Sequence, residues 1–384
     1  MKTIHWLGAG LSSLPGILKI AQSHHTIVLW NRTLEKAEQA VTHLGINIPV
    51  KQLDWPTLEK TIQPGDIVVS MLPATLHVQV AELCLGHKAH FISSSYISPQ
   101  MQAMDARAKE ANLSFVNEVG LDPGLDHLFA HALVEQYKNS DVFSPDNQHA
   151  FRSYCGGFPK HANDFKYKFS WSPLGVLKAL KSPAQWIAKN KIQQTEKPWK
   201  ALTDYAFKRA DGSEEVFQAY PNRDSVPFLK QYGFAEDWTV QEFVRGTLRL
   251  NGWSEAWSSL FEKVDTLKGD KGMEELASIS DELWEKYQYE PGEPDRVVLS
   301  VELEVKNSTG ETTLFKQSYG VDEAGNERGS AMARLVSLTV ALAAESLLAN
   351  KLATGVTAAP HDPKLVKSWL DQMSDMGEHI FVHV

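Results

Sequence analysis

The sequence predicts an α/β protein: a Rossmann-type, doubly wound parallel sheet, followed by a second mixed α/β substrate lobe that carries a helical insertion. Three observations predict it. Short apolar runs alternate with amphipathic stretches through roughly the first 120 residues. Each run ends at small or polar residues. The first glycine turn, Gly8-Ala9-Gly10, comes directly after the first apolar run.

In chain order, the strands expected of the parallel sheet are Lys2–Leu7, Thr26–Trp30, Asp66–Met71, His90–Ile92 and Ser114–Asn117. Between them, apolar residues recur at helical spacing over Pro15–Gln22, Leu34–Leu44, Thr75–Leu85 and Pro99–Glu110. Ligands of open α/β sheets sit beyond the carboxyl ends of the strands. The informative positions are therefore Gly8, Asn31, Pro73, Ser93–Ser95 and Glu118–Gly120.

From about Asp122 the texture changes. Ser153-Tyr154-Cys155, Lys166–Trp171 and Ala206–Lys208 read as strands of a second sheet. Val297–Val305 alternates cleanly, Asn307–Gly310 turns and Thr312–Tyr319 returns, which is a hairpin. The stretch from about Phe228 to Glu290, with Trp238, Trp253, Trp257 and Trp284, reads as a helix-rich insertion. Ala331–Ala349 is alanine- and leucine-rich at helical spacing and is expected to pack back on the first lobe. The expected division is residues 1–121, completed by residues 331–384, as the dinucleotide-binding domain, and residues 122–330 as the substrate domain.

Composition narrows the function. A chain of 384 residues is too long for one small core, and its 43% hydrophobic and 22% charged residues are ordinary globular proportions. No apolar run reaches the roughly 20 residues that span a bilayer. The start reads as a first strand and not as a signal peptide. Cys84 and Cys155 give no metal spacing and no disulfide framework, so a reducing, cytoplasmic setting is expected, with no metal. A net charge of −9 argues against nucleic acid and requires any anionic ligand to meet locally concentrated arginines. The eleven tryptophans are expected in cores or lobe interfaces.

The glycine turn is the cofactor signal. Gly8 permits a tight turn, and Gly10 lets backbone approach a pyrophosphate at the N-terminus of a helix that opens with Pro15. Ser13 stands where a third glycine is usual. At the tip of the second strand an NAD site wants an acid for the ribose 2′-hydroxyl. Here the tip reads Trp30-Asn31-Arg32-Thr33. Arg32 suits a 2′-phosphate bidentately, and Asn31 and Thr33 can donate to it, which favours NADP over NAD.

From Asn117 onward the motifs resemble the saccharopine reductase family (glutamate-forming saccharopine dehydrogenases). The blocks are NEVGLDPGLDH at Asn117–His127, SYCGGFP at Ser153–Pro159, YKFSWSPLGVL at Tyr167–Leu177, YPNRDSVPF at Tyr220–Phe228 and VRGTLR at Val244–Arg249. SSYISP at Ser94–Pro99 and Arg32-Thr33 are similar too. The LDPG turn is shared with polyamine-forming relatives such as carboxynorspermidine dehydrogenase; the SYCGG, PNRD and RGT blocks favour saccharopine. The tail after Ala359, and the helical insertion, resemble the family less.

The resemblance implies an NADP(H)-dependent enzyme that forms or cleaves the bond between glutamate's nitrogen and 2-aminoadipate 6-semialdehyde. Its product, saccharopine, carries three carboxylates and a secondary amine. Arg223, beside Asn222, and Arg245, beside Gly246 and Thr247, suit carboxylate clamping, with Ser95 and Tyr96 as hydroxyl donors. Cys155 stands beside two glycines where backbone can approach ligand. Asp122 either holds the substrate amine, as the candidate catalytic residue, or serves as a turn former before Pro123-Gly124. Leu11, Ser12, Leu72, Pro73, Ser94, Leu121 and Pro123 join Gly8, Gly10, Asn31, Arg32 and Thr33 as expected cofactor contacts. A homodimer is expected. Two other readings stay open: a carboxynorspermidine-type dehydrogenase, and a non-catalytic dinucleotide-binding protein.

Overall fold

The computed structural model of the chain describes residues 2–384. It divides into two compact units: Met1–Leu128 with Glu327–Met373, and Phe129–Asn326 with Ser374–Val384.

The first unit is built from β1 (Ile4–Leu7), α1 (Leu14–Gln22), β2 (Ile27–Asn31), α2 (Leu34–Leu44), β3 (Val50–Gln52), α3 (Trp55–Thr61), β4 (Ile67–Ser70), α4 (His77–Gly86), β5 (His90–Ser93), α5 (Pro99–Gln102), α6 (Asp105–Glu110) and β6 (Ser114–Val116), and α7 (Leu125–Lys138) begins in it. All strand pairings are parallel, in the order β6-β5-β4-β1-β2-β3, with a strand from the end of the chain beyond β6. The order reverses between β1 and β4, so the crevice of this sheet opens at their carboxyl ends. Parallel strands are covered on both faces and read as nearly continuous apolar runs, as IHWL and IVVS do, with the buried His5 and Ser70 hydrogen-bonded to Asp66 and His77.

Two elements here carry weak sequence signals. β3 is a three-residue edge strand, and α3 starts where Asp54 accepts the Thr57 N–H at 3.0 Å and Pro56 sits in the first turn. The single helix expected over Pro99–Glu110 is two helices, broken where the Met104 N–H bonds to the Met101 carbonyl.

The second unit adds β7 (Gln148–Pro159), α8 (Pro173–Leu180), β8 (Ala184–Ala188), β9 (Lys191–Thr195), β10 (Thr203–Lys208), β11 (Glu214–Pro221), α9 (Phe228–Gln231), β12 (Thr239–Arg249), α10 (Trp253–Ala256), α11 (Ser258–Thr266), α12 (Gly269–Tyr287), β13 (Asp295–Lys306) and β14 (Thr313–Ala324). The chain then closes with α13 (Ala331–Leu348), β15 (Gly355–Thr357), α14 (Pro363–Asp375) and β16 (Ile380–His383). The second sheet runs β10-β11-β12-β7-β13-β14-β16; β12 and β7 are parallel and the other neighbours antiparallel.

Three expectations need correction here. The insertion expected from Phe228 to Glu290 is helical only over the single turn Phe228–Gln231 and again from Trp253 onward. Thr239–Arg249 is instead a central strand, because its β-branched and aromatic residues can be buried between two partners. Lys166–Trp171 is not a strand; Phe169 makes one isolated bridge to Gln288. Its alternation comes from Tyr167 and Phe169 burying in the cluster of Trp253, Trp257 and Phe261, while Trp171 stays exposed. Finally, residues 374–384 cluster with the second unit, where β16 pairs with β14, rather than with the first.

In the first unit α13 packs against α1, and a glycine outside the cofactor turn lets it. A Cβ on Gly16 would lie 2.4 Å from the Ser337 carbonyl and 2.7 Å from the Trp6 ring. The Gly16 N–H donates to Ser337 Oγ at 2.8 Å. By length and hydropathy α13 resembles a membrane span, yet 78% of it is buried inside the protein, as a core helix is.

Candidate active site

The crevice of the first sheet begins at Gly8, whose φ is +104°. A Cβ there would sit 3.0 Å from the Met71 carbonyl oxygen and 3.6 Å from Leu72 Cδ2, so only glycine lets β1 and β4 approach at this turn. A Cβ on exposed Gly10 would meet nothing within 4 Å, which leaves open space in front of α1. Beside it Leu11 is 57% exposed and Ser12 half-buried. Ser13 occupies the N-cap position without a side-chain cap hydrogen bond, and Pro15 lies in the first turn. Ala9 donates its N–H to Asn31 Oδ1 at 3.2 Å, and Asn31 Nδ2 donates to the Thr33 carbonyl at 2.8 Å. Asn31 thus ties the two cofactor-side turns together and keeps one amide hydrogen uncommitted. Arg32 is exposed and has no ion-pair partner among the described residues.

At the tips of β4 and β5 the structure supplies a residue that motif reading missed. His77 is buried at the start of α4, with Nδ1 2.9 Å from Ser70 Oγ and Nε2 2.9 Å from Ser95 Oγ. Burial pulls its pKa down to about 4, so the ring is neutral near pH 7 and fixes Ser95 by hydrogen bonding, not by charge. Nothing in the local sequence LHVQV marks it.

The NEVGLDPGLDH block forms a tight loop after β6. Gly120 donates to the Pro123 carbonyl at 2.9 Å, and the Asp122–Pro123 peptide is cis. A Cβ on Gly124 would stand 2.1 Å from the Gly120 oxygen, and one on Gly120 2.9 Å from Ser94 Cβ. The loop is therefore pinned between glycines beside Ser94. Tyr96 donates its hydroxyl to Asp122 Oδ1 at 3.0 Å, which brings two of the expected substrate residues together. Behind the loop, Glu118 accepts the Ile97 N–H at 3.0 Å through Oε1 and lies 3.0 Å from His127 Nε2 through Oε2. Asp126 accepts the Gly124 N–H at 2.7 Å. All three side chains are buried; the sequence singles out Glu118 as a strand-tip position and gives Asp126 and His127 no role.

In the second unit the substrate residues meet across β7, β12 and β11. In register, Thr247 stands between Cys155 and Tyr220, and Arg245 is opposite Ser153. The loop after β11 is stitched to the same strand. The Asn222 N–H donates to the Arg245 carbonyl at 2.8 Å, and the Arg245 N–H to Ser225 Oγ at 3.0 Å. Arg245 is 4% exposed, its guanidinium 4.0 Å over the Phe228 ring. Arg223 is exposed, held at φ +56° by a loop whose carbonyl takes the Gln185 N–H at 2.8 Å. Gly246 faces the other side, where a Cβ would strike the Tyr154 ring at 2.4 Å. The glycine beside Cys155 is explained by packing too: a Cβ on Gly156 would lie 2.7 Å from the Leu248 carbonyl.

A family model described as the saccharopine dehydrogenase NADP binding domain matches residues 4–116, and the saccharopine dehydrogenase C-terminal domain matches residues 120–378. The chain belongs to the saccharopine dehydrogenase family. Saccharopine dehydrogenase [NADP(+), L-glutamate-forming] from Pyricularia oryzae is 28% identical over 435 aligned positions, covering 95% of this chain and 94% of that one. The Saccharomyces cerevisiae enzyme of the same name is 28% identical, with 97% of each chain covered. The apo structure of the yeast L-Glu-forming enzyme superposes with a TM-score of 0.80 at 25% identity, covering 100% of both chains. Homospermidine synthase from Legionella pneumophila, solved with NAD, shares the fold with a TM-score of 0.68 at 10% identity. Membership gives the chain an oxidoreductase character and an NADP-binding first domain. The residues around Gly10 and Arg32 fit that cofactor: an open approach to a helix N-terminus and an uncommitted guanidinium in place of an acid.

Proposed function

We propose that this chain is an NADP-dependent, L-glutamate-forming saccharopine dehydrogenase of lysine metabolism, interconverting saccharopine with glutamate and 2-aminoadipate 6-semialdehyde. The observation that carries the reading is the stitching of the PNRDS loop to the VRGT strand, which ties the backbone next to Arg223 to Arg245, two residues before Thr247, whose register partner is Cys155. Such an arrangement serves an anionic amino acid, not a polyamine.

When bound, NADPH supplies the hydride that reduces the imine carbon. The protein's own part is to hold the imine formed by glutamate's amine and the semialdehyde. Arg245 and Arg223 grip carboxylates, and Ser95, fixed by His77, donates its hydroxyl, while the Tyr96 hydroxyl commits its proton to Asp122. Asp122, held by Tyr96, faces the nitrogen as its charge changes. Positioning, rather than a strong general acid, does most of the work. Arg32, Thr33 and Asn31 hold the 2′-phosphate, while Gly8, Gly10, Leu11, Ser12, Leu72, Pro73, Ser94, Leu121 and Pro123 shape the remaining cofactor surface.

Consumption of NADPH with the semialdehyde should require glutamate; consumption with a diamine in its place would favour the carboxynorspermidine reading. Arg32→Ala is expected to weaken NADPH binding roughly 10- to 100-fold, the worth of a charge-assisted phosphate contact, and NADH binding hardly at all. Equal losses in a fluorescence titration of the two cofactors would remove Arg32 from the phosphate site.

A further inference from the structure

Arg249, the last residue of β12, is a buried cation without a counter-ion. It is 7% exposed, and no carboxylate among the described residues pairs with it. Its Nη1 donates to the Leu248 carbonyl at 3.1 Å and the neutral Tyr220 hydroxyl is hydrogen-bonded to the side chain, while the buried Nε has no partner. The guanidinium carbon stands 5.0 Å from the Tyr167 ring centre, 5.3 Å from Trp253 and 5.5 Å from Tyr220. Burial raises both phenols above their ordinary range, so neither ring brings a negative charge. Ring faces compensate a cation only in part, and a buried charge left otherwise unpaired is costly.

Its place on the strand suggests what completes it. Side chains alternate along β12, so Arg245, Thr247 and Arg249 share one face. Val244 and Leu248 go to the other, into the cluster with Tyr154, Phe158 and Phe217. Arg245 and Arg249 are four residues apart, roughly 13 Å along the strand. Arg223 and Arg245, joined by the Asn222–Arg245 hydrogen bond, suit the two nearby carboxylates of a glutamate moiety. Saccharopine's third carboxylate is at the far end of the lysine-derived arm, about eight bonds and roughly 10 Å away.

We propose that Arg249, framed by Tyr167, Tyr220 and Trp253, receives the carboxylate of the semialdehyde-derived arm of the substrate. The inference rests on the saccharopine reading, so binding and turnover are measured separately. In calorimetric titration, Arg249→Gln should raise the Kd for saccharopine 10- to 100-fold and leave that for NADPH unchanged. In kinetics, KM for the semialdehyde should rise by a similar factor while KM for glutamate holds. The ligand-free melting temperature should stay level or rise, because an unpaired buried charge has gone. An unchanged saccharopine Kd, a rise in KM for glutamate instead, or a lower melting temperature with all affinities intact would each overturn it. Should the Gln variant not fold, Arg249→Lys keeps a cation in the cage but loses the planar fork. The same rise in Kd is then expected, and a wild-type Kd overturns the proposal. A wild-type chain that binds saccharopine without oxidising it would refute the proposed activity alone, and the titrations would still decide Arg249.

Discussion

Arg245→Lys is expected to lower kcat/KM for saccharopine by about 30- to several-thousand-fold, with NADPH affinity nearly unchanged. The size follows from the loss of a buried, hydrogen-bonded charge pair, about 2–5 kcal/mol, most of it from the partner left unpaired. Arg245 is 4% exposed, its guanidinium carbon 4.0 Å from the Phe228 ring centre, with its backbone held by Ser225 and Asn222. An ammonium reproduces neither the fork nor the ring contact. Arg223→Lys should hurt less, because Arg223 is exposed and solvent screens its interactions. If Arg245 binds substrate and transition state alike, the loss appears in KM; if it orients the imine, kcat falls too. Steady-state kinetics beside a direct NADPH titration separate these cases. Near-normal kcat/KM in the Arg245 variant would make that arginine structural.

The second large effect is on stability. Leu342→Asp should destabilise the first unit by several kcal/mol, enough to abolish folding in a protein of ordinary stability. Leu342 is 1% exposed in α13, and the neighbouring residues Val340 to Ala344 are buried with it. The helix cannot shift to expose the new carboxylate, because Gly16 and Ser337 already lock it against α1. Leu342→Met, which keeps volume and polarity, should cost less than about 1.5 kcal/mol. Thermal melts of both variants check this; an Asp variant melting like the parent would place that face in solvent.

Much of this was legible in the chain. The parallel sheet announced itself because strands buried on both faces need nearly continuous apolar runs, and the turn at Gly8 because only glycine tolerates its φ of +104° beside Met71. The β13–β14 hairpin was legible from its alternation, and the structure only lengthens it to Asp295–Lys306 and Thr313–Ala324. What stayed hidden depended on tertiary neighbours. By sequence β12 reads as part of a helical insertion, because the tryptophans that follow it dominate the local pattern. The β8–β9 hairpin turns on Lys189 and Asn190, both at positive φ, without the glycine that usually marks such a turn. The roles of Gly16, His77, Glu118, His127 and Arg249 come from residues far away in sequence or on other elements. No local spacing signals a glycine that meets Ser337 or an arginine caged by Tyr167 and Trp253.

The central claim is that the C–N bond made here joins glutamate's nitrogen to the semialdehyde carbon. The most direct measurement supplies the purified chain with 15N-labelled glutamate, 2-aminoadipate 6-semialdehyde and NADPH deuterated at the transferable hydride position. The product is then read by mass spectrometry. The account predicts saccharopine carrying the 15N in its secondary amine and one deuterium on the former aldehyde carbon. A product lacking the glutamate nitrogen, or NADPH oxidised only when a diamine replaces glutamate, would contradict it.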